Sequence, residues 1–137
     1  MASRVSVRDG ADAPYWNGLD AGKLMLPRCR GCGAWRWPAG HRCPDCGTTG
    51  MDWVEQPMAA TIFSWTRTWH GFGGAESLDR PFVSIIAKLD ESGIRLMGRM
   101  DDPDRVDPVI GDAVTGRMGT THAAGRAIPT IIWSRTA

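Results

Sequence analysis

The chain has 137 residues and a mass of 14.9 kDa, enough for one ordinary domain or two small ones. Its net charge of +1 excludes the strongly basic field that holds nucleic acids non-specifically. No apolar run approaches the ~20 residues that span a bilayer, so we expect no membrane partner. Residues 1–12 lack the apolar stretch of a secretory signal, and we expect them to form a flexible N-terminus in a cytoplasmic protein.

Residues 13–22 are predicted to form a short N-terminal helix. Asp12 can cap its start, and Gly22 can end it. Tyr15 and Trp16 fall on one side of this helix. Because so short a helix is unstable alone in water, we expect its aromatic face to dock on another surface.

All four cysteines lie in two CxxC pairs within residues 23–52, at Cys29, Cys32, Cys43 and Cys46. A glycine follows each pair, as expected for tight backbone knuckles with positive φ. Four thiolates aimed at one point are the ligands of a tetrahedral zinc site, so we predict a zinc ribbon with one structural zinc. Iron in a rubredoxin-like site would take the same ligands. Two disulfides would require an oxidising compartment, which nothing else in the sequence indicates.

A zinc ion with four thiolate ligands has no open position for substrate or water. We therefore expect the metal to fold the ribbon rather than to catalyse a reaction. The four cysteines are then unavailable as nucleophiles, and the serines lack a recognisable nucleophile motif. We predict no catalytic residue.

The remaining residues, 53–137, show the alternation and turn signals of five short strands, at 60–69, 81–89, 94–100, 110–118 and 128–134. Five strands of this length fit a small closed or partly open barrel, and an OB-fold is the preferred interpretation. The expected architecture is mainly β: a short helix, a rubredoxin-like ribbon and a five-stranded barrel.

Several residues are candidates for contact with a partner or ligand. Around the cysteines, arginine and tryptophan could bind an acidic partner or a phosphate, or the arginines could stabilise the thiolate charge; the residues are Trp16, Arg28, Trp35, Arg36 and Trp37. In the first barrel strand, alternation predicts a shared face of Phe63, Trp65, Arg67 and Trp69, which could stack single-stranded nucleic acid. His70 follows at the start of a glycine-rich loop.

The order of these motifs resembles one family. The chain has Trp16-Asn-Gly-Leu19 in the helix, Trp35-Arg-Trp-Pro38 between the cysteine pairs, and Thr61-Ile-Phe-Ser-Trp-Thr66 in the first barrel strand. Over residues 13–134 it is similar to the acyl-CoA-associated zinc-ribbon OB-fold proteins, also known as domain of unknown function 35. The chain departs from that pattern at Ala59-Ala60, where the family often has glycines.

The resemblance implies a non-catalytic accessory subunit rather than an independent enzyme. Such a subunit docks a thiolase-type acyl-CoA enzyme in a hetero-oligomer and assists the binding or transfer of CoA thioesters. The four cysteines carry over as the metal ligands, and no catalytic residue carries over. The alternative function is a single-stranded nucleic-acid-binding module, which the near-neutral charge disfavours.

Overall fold

The structure, a computed structural model, describes residues 10–73, 78–123 and 125–136. Most of the predicted flexible N-terminus, residues 1–9, lies outside the described part of the chain. The chain divides into two compact units, with the division between Pro57 and Met58. The described residues form one short helix, a two-stranded sheet and a closed barrel, which confirms the mainly β architecture.

The first unit contains helix α1 (Ala13–Asp20) and strands β1 (Leu24–Cys29) and β2 (Met51–Gln56). The two strands pair in antiparallel fashion, with Leu24 opposite Gln56 and Cys29 opposite Met51. This register leaves the segment between the strands to form both cysteine turns at one end of the sheet.

Backbone hydrogen bonds end helix α1 immediately after Asp20. Lys23 N–H donates to the Gly18 carbonyl at 2.8 Å, and Gly22 N–H donates to the Leu19 carbonyl at 3.0 Å. This Schellman arrangement needs a left-handed residue, and Gly22 has φ +77°. The helix therefore ends where glycine permits the turn into β1.

Helix α1 packs against the ribbon of its own unit. A Cβ on Gly18 would come within 2.6 Å of Met25 Cγ, so glycine allows this close approach to β1. The Tyr15 ring lies 4.6 Å from the Trp37 ring, between centroids, and Leu19 is buried. The aromatic face expected to dock on another surface thus docks, through Tyr15, on the segment between the cysteine pairs.

The second unit is a closed barrel whose strand order is β3-β4-β5-β7-β6. All neighbouring pairs are antiparallel except β5 and β7, which are parallel. This topology confirms the predicted five-stranded OB-fold. Its strands are β3 (Ala59–Thr68), β4 (Phe82–Leu89), β5 (Arg95–Met100), β6 (Ala113–Ala123) and β7 (Arg126–Arg135).

A β-bulge divides strand β3 into two parts. The register to β4 shifts between Ile62 and Ser64. Before the bulge Ala60 and Ile62 are buried, whereas after it Trp65 and Arg67 are the less exposed residues. Since an extra residue exchanges the inward and outward positions of a strand, the predicted common face of β3 is wrong for Phe63, whereas Trp65 and Arg67 remain on one side.

Candidate metal centre

The first cysteine turn begins at the end of β1. Gly33 N–H donates to the Cys29 carbonyl, and Cys29 N–H donates to the Ala34 carbonyl, both at 2.9 Å. Gly33 has φ +75°, a conformation that glycine adopts at little cost. The resulting tight turn carries Cys32 back toward Cys29.

The second cysteine turn repeats this pattern. Gly47 N–H donates to the Cys43 carbonyl at 2.9 Å, and Cys43 N–H donates to the Thr48 carbonyl at 2.8 Å. Gly47 has φ +78°. Each turn buries its first cysteine and exposes its second, so the centre lies at the surface of the unit with Cys29 and Cys43 beneath it.

All four sulfur atoms lie within 4.8 Å of one another. The Cys29 and Cys46 sulfurs are 3.5 Å apart, and the Cys32 and Cys43 sulfurs are 3.7 Å apart. Four ligands at about 2.3 Å around a tetrahedral zinc would lie about 3.8 Å from one another. The donor set therefore fits one structural zinc in a rubredoxin-like ribbon, with every coordination position taken by sulfur.

The surroundings of Cys43 and Cys46 favour the thiolate forms that bind a metal. The Thr48 hydroxyl lies 3.2 Å from the Cys46 sulfur, and hydrogen bonds from the Thr48 side chain and backbone lower the pKa of Cys46 to about 6. Backbone N–H groups of Cys46 and Asp45 lower the pKa of Cys43. Thiolates are the metal ligands, so these donors prepare the site for a cation. Apart from its position just after the second cysteine turn, nothing in the sequence indicates that Thr48 contacts Cys46.

Three arginines beside the centre have partners within the first unit. Arg36 pairs with Asp45, and its pKa is raised first by Asp45 and then by hydrogen bonds to Cys43 and Cys32. Arg28 Nε donates to the Gly33 carbonyl at 2.8 Å, which fixes the first turn. Arg30 Nε lies 2.8 Å from Asp52. For Arg36, the contacts support the predicted role of stabilising thiolate charge.

The aromatic candidates of the first unit are half-buried. Trp35 lies under the Arg28 guanidinium, 5.4 Å from ring centroid to Cζ. Trp37 packs on Tyr15, and the Trp16 indole N–H donates to the Asp12 carboxylate at 3.0 Å. Asp12 occupies the N-cap position, but its side chain makes this bond and no bond to the helix backbone. All three tryptophans keep exposed area, so contact with a partner stays a prediction for them.

In the second unit, the two predicted contact candidates, Arg67 and His70, have different surroundings. Arg67 forms ion pairs with Asp102 and Asp107 of the loop after β5, and its guanidinium lies 5.6 Å from the Trp65 ring. Asp102 is not a solvated loop residue, because its side chain is only 7% exposed. His70 is exposed and packs edge-on against Phe72, with ring centroids 4.9 Å apart.

Among the described residues, no helix has the length and hydrophobicity needed to span a bilayer.

Comparison with known protein families matches both units of the chain. Residues 16–52 match the model described as ChsH2, rubredoxin-like zinc ribbon domain. Residues 53–118 match the model described as ChsH2, C-terminal OB-fold domain. No curated protein matches the chain at a significant level.

Two solved structures are similar to this fold. One is described as "Ltp2-ChsH2(DUF35) aldolase", with 23% identity, a TM-score of 0.76, and coverage of 93% of this chain and 95% of the other. The second is a protein of unknown function of the DUF35 family from Sulfolobus solfataricus, with 15% identity, a TM-score of 0.61, and coverage of 97% and 90%. The two family models in tandem, with the thiol cluster and closed barrel that they require, show that the chain belongs to the ChsH2 family of zinc-ribbon OB-fold proteins.

Proposed function

We propose that the chain is a non-catalytic accessory subunit that docks a thiolase-type acyl-CoA enzyme, such as a thiolase, acyltransferase, synthase or side-chain aldolase, in a hetero-oligomer. The observation that carries the proposal is similarity along nearly the whole chain to a structure described as an Ltp2-ChsH2 aldolase. That description joins a member of the same family to a second protein in one aldolase.

The metal centre supports a structural role for zinc. Four sulfurs within 4.8 Å of one another can fill a tetrahedral zinc site, which leaves no position for a substrate carbonyl or a water molecule. Cys29, Cys32, Cys43 and Cys46 would hold the ion, and the ion would supply folding free energy to the ribbon. Outside the cluster, the partner of His70 within the described part of the chain is the Phe72 ring, which offers no hydroxyl or thiol for the imidazole to activate.

The family resemblance also implies a contact with the CoA thioester, and this contact is part of the proposal. Arg36 and Arg67 are poor candidates for binding its phosphates, because both already pair with aspartates. Exposed His70 is the better candidate in the barrel unit. A cytoplasmic location is likewise a proposal, and it agrees with the need to keep four thiols reduced.

The nucleic-acid alternative loses its predicted binding face. The bulge in β3 turns Phe63 away from Trp65 and Arg67, and Arg67 is engaged by two carboxylates. A row of stacking rings with a free cation is what such a site would need.

The test is capture of the tagged chain from its native host, with mass spectrometry of the eluate. We expect a thiolase-like enzyme at a fixed ratio to the chain, and we expect its activity to fall when the chain is deleted from the host. If purified enzyme has full activity and stability without the chain, the accessory role is wrong. A Cys43→Ser chain serves as the control, since unfolding of the ribbon should remove the contact candidates of the first unit and weaken capture of the enzyme even where the barrel stays folded.

A further inference from the structure

The outer surface of strands β3, β4 and β5 forms three rows of side chains, which the strand register defines. Thr61, Lys88 and Arg95 are aligned in the first row; Ser64, Ile86 and Met97 in the second; Thr66, Ser84 and Arg99 in the third. The alternate residues of β4 and β5 point inward, since Val83, Ile85, Ala87, Leu96 and Met100 are buried. We name this surface the basic outer face.

Its charges are all positive. Lys88 and Arg95 lie directly opposite each other on β4 and β5, an arrangement that destabilises a sheet. Within the described residues, none of Lys88, Arg95 and Arg99 has an ion-pair partner, and Nε of Arg99 is buried without a hydrogen-bond acceptor. The nearby carboxylate of Asp101 is hydrogen-bonded to Arg117 and Ser134 instead.

The centre of the face is apolar and exposed. Met97 is 77% exposed, and Phe63, which reaches the face from the bulge, is 42% exposed. Ile86 lies beside Met97 in the same row. Arginine, methionine and aromatic residues are enriched at protein interfaces, where an apolar centre is surrounded by charge.

We propose that the basic outer face docks an acidic segment of the partner enzyme, with an apolar side chain of that segment covering Met97. This inference rests on the proposed function and names the surface that it uses. Arg95 and Arg99 are four residues apart on one strand, or about 13 Å, so the matching carboxylates are separated by a similar distance. Single-stranded nucleic acid fits less well, because the one aromatic ring on the face, Phe63, is already stacked under Arg95 at 3.9 Å.

The experiment measures the affinity of the purified chain for the thiolase-like enzyme that the wild-type chain captures. Two variants alter the face: Lys88→Glu with Arg95→Glu, and Met97→Asp. Two controls alter residues elsewhere on the barrel: Arg126→Glu at a half-buried position and Val109→Asp at an exposed one. We expect both face variants to bind about tenfold or more weakly and the controls to match wild type. The wild-type and control complexes should weaken steeply with salt, and the double charge reversal should remove that dependence.

The outcomes distinguish an error in the docking surface from an error in the proposed accessory role. If wild type binds the enzyme and the face variants bind equally well, the basic outer face is not the docking surface, while the accessory role stands. If wild type captures no thiolase-like enzyme, both proposals fail. Binding of a fluorescein-labelled single-stranded oligonucleotide that the double charge reversal abolishes would also overturn the assignment. Circular dichroism and thermal unfolding of each variant confirm that a weaker complex does not reflect an unfolded barrel.

Discussion

Arg67 on β3 and Asp102 in the loop after β5 form an ion pair that is largely removed from water. The distance from Nη2 to Oδ2 is 3.0 Å, and the two side chains are 13% and 7% exposed. Asp107 of the same loop contacts the other terminal nitrogen of Arg67. These bonds fasten the acidic loop to the first barrel strand and hold the pKa of Arg67 above its ordinary value, through Asp107 first and Asp102 second.

Replacement of Asp102 by Asn keeps the shape of the side chain and leaves Arg67 with one carboxylate fewer. We expect Asp102→Asn to lower the thermal midpoint more than Asp101→Asn does, since loss of one partner from a buried pair is costly. Asp101 pairs with Arg117 in a setting where their side chains are 43% and 55% exposed, and such pairs contribute little. Equal midpoints for the two variants would show that the Arg67 pair adds nothing to stability.

Because of Tyr15, the stability of the first unit should fall as the pH rises in the alkaline range. Burial raises the pKa of Tyr15 from 10.0 to about 12. The folded state therefore holds the phenol proton more tightly than the unfolded state does, so stability is complete below pH 10 and is lost between pH 10 and about pH 12. The loss should approach about 2–3 kcal/mol, and Tyr15→Phe should abolish it.

The chain has only one tyrosine, so ultraviolet titration of tyrosinate reports Tyr15 without interference. Urea unfolding at neutral and alkaline pH measures the free energy of unfolding. A titration midpoint near 10, or the same alkaline loss in Tyr15→Phe, would exclude burial of Tyr15 as the cause.

Loss of a zinc ligand should unfold the first unit and leave the second unit folded. Cys43 is 1% exposed and belongs to the thiol cluster, so Cys43→Ser should lose the single zinc and unfold the ribbon. The barrel has a core of its own around Trp133 and should keep its slow amide exchange. Elemental analysis and hydrogen exchange test both statements, and treatment of wild type with a chelator should reproduce them. Retention of one zinc per chain by Cys43→Ser would show that the ligand assignment is wrong.

Much of this molecule follows from local sequence patterns. The spacing of Cys29 and Cys32, with Gly33 after them, requires only a turn of a few residues, and the repeat at the second pair brings all four sulfurs together. The strands of the barrel also follow from alternation, because one face of each strand must be buried. These features depend on residues that are close together in the chain, so they can be predicted from the sequence.

The errors of prediction arise from long-range contacts. The bulge after Ile62 inverts the alternation of β3, and it reflects pairing with β4 rather than a local signal. The pairing of Arg67 with Asp102 joins residues that are 35 positions apart. Strands β6 and β7 extend beyond the predicted ends because each pairs with the other even across Gly119 and Pro129, which ordinarily indicate a break.

Gly98 makes room for the buried Trp133 side chain. A Cβ on Gly98 would lie 2.8 Å from the Trp133 Nε1 atom and 3.0 Å from Cδ1. Because Trp133 is only 1% exposed and cannot move easily, we expect Gly98→Ala to destabilise the barrel by about 1–3 kcal/mol. Gly73→Ala is the control, since no described residue lies within 4 Å of the added Cβ. Chemical denaturation measures both variants, and an unchanged midpoint in Gly98→Ala would contradict the packing argument.

Lys88 should be a position where stability and partner binding change in opposite directions. It faces Arg95 across the β4–β5 pair, and two like charges in this position repel each other. Lys88→Glu replaces the repulsion with attraction, so we expect the free energy of unfolding to rise by about 0.2–1 kcal/mol at low salt. Lys88→Gln removes the repulsion without adding attraction and should fall between the two.

The same substitution puts a carboxylate where the partner is proposed to present one. We therefore expect the order of enzyme affinity to be the reverse of the order of stability: wild type tightest, Lys88→Gln intermediate and Lys88→Glu weakest. Urea denaturation and titration with the captured enzyme give both orders from the same samples. If Lys88→Glu is both more stable and equally tight, the unpaired cations have no role in docking. If the two orders oppose each other, the repulsion between Lys88 and Arg95 is a cost to the free subunit that contact with an acidic partner removes.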